Sequence, residues 1–398
     1  MLGDQKVLPV LTDRIPKWAD SSRHKLAEYA ACAVALVPAN ESLMILDSLA
    51  NRYKSRYRNI GKACRNALLT AAQQQNISLD ELSDMIVPTL EFDTNYQRAL
   101  PDTDIVAVLQ PDFKISFYNP GTEKETKTAP KSLPDTAVEE LKTVKKLIRE
   151  TIKGQTIRLE NCLVQQRQWA TARWQELFEA NPFLQSYAAR LVWCTVDAKG
   201  KPLQQFRRYT NGLLADANGD LIELTKKDKA VVIIHPLAMQ DEQITQWREH
   251  FKRQKIKPPF EQLDRSTVIL EKSKGNRKLI EVLEADHYIA CGTFRSRAEK
   301  RGWVRGSVVD GGGVTYYEKD FSGVVSAILY VEDHWVGQDP MDMIKLVQAL
   351  FVKGGSVASG SYTYDEPKNT DDPRVIALGK IPAMIYSEAM GDLKAISG

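Results

Sequence analysis

QTIRLENCLVQQRQWATARWQELF, residues Gln155 to Phe178, is the stretch on which the reading of the fold turns. Leu159, Leu163, Ala170, Trp174 and Leu177 recur at steps of three, four and seven, which predicts one long amphipathic helix with a single stripe in need of a core. Gln155, Arg158, Cys162 and Gln165 line a neighbouring face. Arg158, Arg167 and Arg173 set guanidinium groups beside the stripe, where a planar fork of donors holds a carboxylate, a phosphate or backbone carbonyls. The helix is expected to be a central strut clamped against mixed strands, with any activity along that seam.

On its amino side the pattern is again that of long helices back to Asp135, with Asp135 or Thr136 as cap and Glu139 as capping-box partner. Before that, from Glu91 to Pro134, DIVAVLQ and FKISFYN read as short strands, and the lysine-rich run to Pro134 as a turn-rich linker. From Ile15 to about Leu90 the pattern is helical. RHKLAEYAACAVALV, SLMILDSLANRYKS, NIGKACRNALLTAAQQQ and LDELSDMIVPTL are apolar-striped segments broken at Pro38–Asn40, Tyr57–Asn59 and Asn76–Ser78. Helical pairs joined by short loops predict a HEAT-like repeat fragment over residues 1–92. Each such repeat needs a neighbour to cover its apolar face. A protein partner or a longer helical-repeat array is therefore expected at the N-terminal end, with Met1 read as a truncated start or as an end that a partner caps.

On the carboxyl side the pattern is mixed. ARLVWCTVD, LQQFRRYTN, DLIELTK and AVVIIHPLA are strand-like, with hairpin chemistry at Ala198–Gly200 and Ala217–Asp220. ITQWREHFKRQ reads as a helix. GWVRGSVVD, GVTYYEKDF and VSAILYVED predict an antiparallel meander turning at Gly311–Gly313, MDMIKLVQALFV fits a helix or buried strands, and Ile381 to Ile396 fits a short strand and a closing helix. The expected architecture is α+β: helical repeats over 1–92, a linker with short strands over 93–134, and a mixed domain over 135–398 with an antiparallel sheet and a long central helix.

Composition narrows the class without giving a function. With 398 residues, 43% of them hydrophobic and 26% charged, the chain has the make-up of an ordinary globular protein of two or three domains. A formal charge of +3 is too small to make the whole molecule an electrostatic partner for nucleic acid. No apolar run approaches the roughly 18 residues of a membrane span. The start, MLGDQKVLPVLTDRIPKW, lacks the pattern of a secretion signal. A cytoplasmic protein without a membrane segment is the expectation. Cys32, Cys64, Cys162, Cys194 and Cys291 form no close pair, which argues for reduced, mostly buried thiols and against a thiolate metal site.

The ordered motifs resemble those of a bacterial family. Gln155–Glu160 (QxxRLE), Arg167–Trp169 (RxW), Leu191–Trp193, Phe206-Arg207, His235-Pro236, Trp247, Pro259–Arg265 (PFxQLxR), Arg301–Trp303 and Ser387-Glu388 look like the uncharacterised carboxyl-terminal domain of the large molybdate-metabolism-regulator-like proteins. The resemblance runs from about Phe92 to the end, and the helices before it look like the helical repeats that precede that domain in the family. It implies a domain of unknown function and no chemistry. The family's usual WGR module has no counterpart among these motifs, so nothing that module senses is carried over.

The residues themselves offer three candidate sites. His235 follows four apolar residues at a strand end, where α/β proteins build sites, and could act as a base beside Glu160. A histidine locking the strand end is the competing account. Arg158, Arg167, Arg207, Gln262 and Arg265 could converge on an anion, or else form an ion-pair network between helix and sheet. In RYKSRYRNIGKACR, the cations Arg52, Lys54, Arg56 and Arg58 alternate with Tyr53 and Tyr57, a pattern that tracks phosphates and stacks bases, or simply a solvated loop. Asp216, Asn218, Asp220 and Glu223 lack the distal acid of a calcium loop. No HxH, HExxH, GxSxG or Walker lysine is present, and no nucleophilic cysteine paired with a histidine can be pointed to, so no metal and no cofactor is expected. Trp169, Trp174, Trp193, Trp247 and Trp303 read as core. The overall expectation is a non-catalytic interaction module, the alternatives being an enzyme for a phosphorylated ligand and a nucleic-acid accessory protein.

Overall fold

The computed structural model describes residues 6–53, 57–209, 211–280, 287–321, 323–360 and 362–398. Among the described residues the chain is mixed α/β, with eleven α-helices and three antiparallel sheets. It divides into two compact units that do not follow chain order. The first is formed by Met1–Leu159, Gln168–Val232 and Gln246–Phe260, the second by Glu160–Arg167, Ile233–Thr245 and Glu261–Gly398.

The first unit begins with α1 (Val7–Asp20), α2 (His24–Ala35), α3 (Asn40–Arg52), α4 (Arg58–Gln74) and α5 (Leu79–Met85). Leu8, Ile15, Ala19, Ala27, Val34, Leu46, Leu49, Ile60 and Leu68 make one continuous core between these helices. The helical region thus reaches back to Val7, ahead of the Ile15 start read from the sequence, and contains Pro16 inside α1. α5 carries a complete capping box, Ser78 with Glu81. A four-stranded antiparallel meander follows, β1 (Gln97–Ala99), β2 (Val106–Leu109), β3 (Ile115–Asn119) and β4 (Lys124–Thr126).

The helix expected from Gln155 to Phe178 is broken, which corrects the single long strut. α6 (Asp135–Gln165) stops, β5 (Trp169–Ala170) pairs with a strand, and α7 (Thr171–Ala180) starts afresh. The stop is a left-handed residue, Gln166 at φ 51°, with the Gln166 N–H donating to Leu163 O and the Arg167 N–H to Cys162 O. That pair of bonds is the Schellman closure, ordinarily built on glycine. Because no Gly, Asn or Pro marks the stop, a periodicity argument runs straight through it. Ala170, placed on the expected stripe, is exposed, whereas Leu159, Leu163 and Trp174 are buried.

α8 (Pro182–Ala188) leads into a five-stranded sheet ordered β5-β9-β6-β7-β8, from β6 (Trp193–Val196), β7 (Pro202–Arg208), β8 (Leu214–Ala215) and β9 (Ala230–Ile233). Trp169, Trp174, Phe178, Trp193 and Phe206 pack into one aromatic cluster with centroid spacings of 4.7–5.9 Å. DLIELTK forms only an isolated bridge, Ala215 to Leu221, where a strand was expected. The Asp216 carboxylate accepts the N–H groups of Asn218, Gly219 and Asp220, so this acidic run is a turn. α9 (Asp241–Arg253) completes this part of the chain.

The second unit centres on a seven-stranded antiparallel sheet. β12 (Val304–Arg305), β13 (Tyr316–Phe321), β14 (Val325–Glu332) and β15 (Met343–Lys353) form the meander, and β10 (Leu279–Ile280), β11 (His287–Ala290) and β16 (Val375–Ile376) each pair with β15. The run left open as helix or strands is thus one eleven-residue strand. α10 (Cys291–Lys300) and α11 (Ala383–Ser397) bury Phe294, Ala298, Ile385, Ala389 and Leu393 against Ala327, Leu329, Leu346 and Phe351. Ile381 sits after a 3-10 turn where a strand was expected.

Candidate functional site

In the second unit four elements bring charged side chains together. Glu160 stands in the last turns of α6, His235 just after β9, Arg265 in the segment after α9, and Glu388 on α11. Arg265 donates Nη1 to Glu388 Oε2 at 2.5 Å and Nε to Glu261 O at 2.9 Å, and its Nη2 pairs with Glu160. His235 Nε2 lies 3.1 Å from Glu388 Oε1, and His235 Nδ1 accepts the Leu237 N–H at 3.0 Å. That acceptance fixes the tautomer: the proton is on Nε2 and goes to the carboxylate. Gln262 donates to Ile234 O at 2.9 Å, and Ser387 Oγ accepts the Val268 N–H at 2.9 Å.

His235 is 0% exposed, Glu388 5% and the Arg265 side chain 14%. Burial raises the Glu388 pKa, but the hydrogen bond from His235 and the Arg265 charge outweigh it and hold the carboxyl below the usual glutamate range. Burial likewise works against the Arg265 charge, and Glu388 and Glu160 overcome it. The chemical consequence is a closed chain, His235 to Glu388 to Arg265 to Glu160, in which each charge meets its opposite. Neither ring nitrogen of His235 has a free lone pair in this placement, so it takes no substrate proton without first giving up a partner.

The other expected anion ligands lie elsewhere in the chain. Arg158 belongs to the first unit, where Nε donates to Gln155 Oε1 at 2.6 Å and Nη1 to Asp84 Oδ1 at 2.5 Å. Trp169 Nε1 donates to the other oxygen of Asp84 at 3.0 Å. Arg207, also in the first unit, donates to Ala189 O at 2.8 Å. Arg167 falls in the second unit, with its backbone in the closure of α6. Of the cations set for nucleic acid, Lys54, Arg56 and the side chain of Arg58 lie outside the described residues. Arg52 covers the Tyr53 ring at 5.5 Å, and Tyr53 is itself buried in the helical core, so its ring offers no face to a base.

Two constellations escaped the sequence. Glu388, which closes the chain of charges, is 123 residues from Arg265 and 153 from His235. Cys291, at the start of α10, has its Sγ 3.6 Å from His334 Nδ1, a histidine 43 residues further along the chain. The same Nδ1 lies 2.8 Å from Gln338 Oε1, which also accepts the Trp335 N–H, and His334 Nε2 faces the Tyr317 hydroxyl at 3.1 Å. Gln338 therefore presents its oxygen, Nδ1 carries the proton, and Tyr317 donates to Nε2. His334 is thus no base for Cys291. Burial pushes the Cys291 thiol up and the His334 imidazole down, both toward their neutral forms. Four of the five cysteines are buried, and among the described residues none is in a disulfide. Among the described residues no group of acidic, histidine and cysteine side chains could hold a metal ion, and no helix is long and apolar enough to cross a membrane.

Residues 124–303 match a family model described as a domain of unknown function (DUF4132). The chain is similar to an uncharacterized protein, YehI of Escherichia coli (strain K12), at 28% identity over 286 residues, 68% of this chain and 23% of that protein. It thus matches less than a quarter of the relative's length. No solved structure matches the chain.

Proposed function

We propose that this chain is a non-catalytic interaction module of a larger cytoplasmic bacterial assembly. The observation that carries the reading is the closed pairing of His235, Glu388, Arg265 and Glu160. Residues selected as a reactive set are each held by another protein group, as suits a lock between a helix end, a strand end and α11 rather than a place for substrate. The reading also takes α1 to α5 as HEAT-like repeats and the remainder as the domain found in molybdate-regulator-like proteins. The exposed Val10 on α1, Leu26 and Tyr29 on α2 and Leu36 just after it support a partner at this end, a further pair of stacked helices.

The test joins two measurements. Leu26→Asp with Tyr29→Asp is expected to leave the chain folded and to release it from the large species with which the wild type migrates in native host extract. A wild-type chain that migrates alone would defeat the reading. Turnover of a nucleotide or phosphosugar would replace it with an enzyme, in which Glu160 and His235 move protons beside Arg265 and Gln262.

A further inference from the structure

Arg207 on β7 is 7% exposed, and among the described residues it forms no ion pair with a carboxylate. Nη1 is taken by Ala189 O, the guanidinium lies 3.9 Å from the Tyr209 ring centroid, and Nε is buried with no hydrogen-bond partner. β7 and α9 meet on this face, because Trp247 Nε1 donates to Gln205 Oε1 at 2.9 Å and Gln205, two residues before Arg207, points the same way. One turn after Trp247 comes His250, 1% exposed. Its Nδ1 donates to Ala217 O at 2.8 Å, and its Nε2 is buried without a partner. Arg253, exposed, directs Nη2 toward the same carbonyl at 3.4 Å. The nearby acid, Asp216, spends Oδ1 on three backbone N–H groups of its own turn.

A buried guanidinium without a counter-charge is costly, and a second positive group beside it adds repulsion. An anion seated between them removes both penalties and meets the two vacant nitrogens. We infer that Arg207, His250 and Arg253 bind one oxyanion, the phosphate or carboxylate group of a small ligand, with Arg207 Nε and a protonated His250 Nε2 as inner donors and Arg253 at the solvent side. Burial, followed by the Arg207 and Arg253 charges, holds His250 below the usual histidine range in the empty site, so binding draws in a proton. The site lies wholly in the first unit and does not depend on the interaction-module reading.

The experiment is thermal unfolding of the full chain in inorganic phosphate and in sodium acetate, each against sodium chloride at matched ionic strength. Wild type is expected to show a saturable rise in Tm with one of the two oxyanions. Phosphate as the stronger assigns a phosphorylated ligand, and acetate a carboxylate. Arg207→Met is expected to lose the rise and, in chloride, to melt at or above wild type because an uncompensated buried charge is gone. Arg253→Gln, at an exposed position that does not threaten folding, is expected to weaken the saturation about tenfold, the size of one charge-assisted contact. A histidine NMR titration supplies the second readout, with the His250 pKa higher in the oxyanion than in chloride. No oxyanion-specific rise, a rise that both variants keep (an adventitious ion only), or an unmoved His250 overturns the site.

Discussion

Arg265 in the second unit and Arg207 in the first are both withdrawn from water, yet Arg265 is clasped by Glu388 and Glu160 while Arg207 meets carbonyl and aromatic surface alone. The contrast teaches what a buried arginine can mean. With carboxylates on two other elements it is a lock, since removing any member strands the rest. With none, it is a charge still short of its partner. Both residues were candidates for one anion pocket, and their surroundings give them opposite roles.

Breaking the lock is expected to have the largest effect. Glu388→Ala leaves Arg265 with one half-exposed acid and takes the acceptor from His235, at a cost of roughly 3–5 kcal/mol in denaturant unfolding. A loss below about 1 kcal/mol would mean that the two regions do not differ as described. In the first unit, Asp84→Ala deprives Arg158 and Trp169 of an acceptor and is expected to cost about 2–4 kcal/mol, against the silence expected of Arg207→Met in chloride.

The pH dependence sharpens the comparison further. Glu388 has a depressed folded pKa, so its contribution is present above the unfolded value near 4.5 and is lost as pH falls through the lower folded value. His250 and His334 have folded values below 6.5, so the unfolded chain takes up protons first and stability falls as pH drops through the window beneath 6.5. His334→Gln is expected to flatten that window by no more than about 1.4 kcal/mol per pH unit, seen in urea titrations at pH 5 and 7. Saturating oxyanion flattens the His250 share alone if the inferred site exists. The smallest effect belongs to Tyr29→Asp, exposed on α2, with a change within about 0.5 kcal/mol in isolated-chain stability.

Much of the local structure was legible. Short strand-like runs such as ISFYN and VSAILYVE gave strands, the 3.6-residue rhythm gave α2 to α5, and five tryptophans read as core are buried. The helix boundary at Gln166 was not, because its left-handed turn is closed by backbone bonds to Leu163 and Cys162 and pairing of Trp169 with Val231 draws the next residues into a sheet. His235, Glu160 and Arg265 were chosen from sequence and do meet. Glu388, which joins two of them, stood among the quoted motifs without a role, since nothing local ties an acid on the last helix to a strand end 153 residues earlier.

By itself the amino-acid order determined the identity of most helices and strands though not all their ends, which faces need covering, and that Arg207 and Arg265 were worth asking about, because these follow from periodicity and side-chain chemistry within a few residues. Only the tertiary structure decided that Arg265 is neutralised and Arg207 is not. Coulomb attraction and desolvation depend on distance through space, and the carboxylates that settle the matter come from α6 and α11.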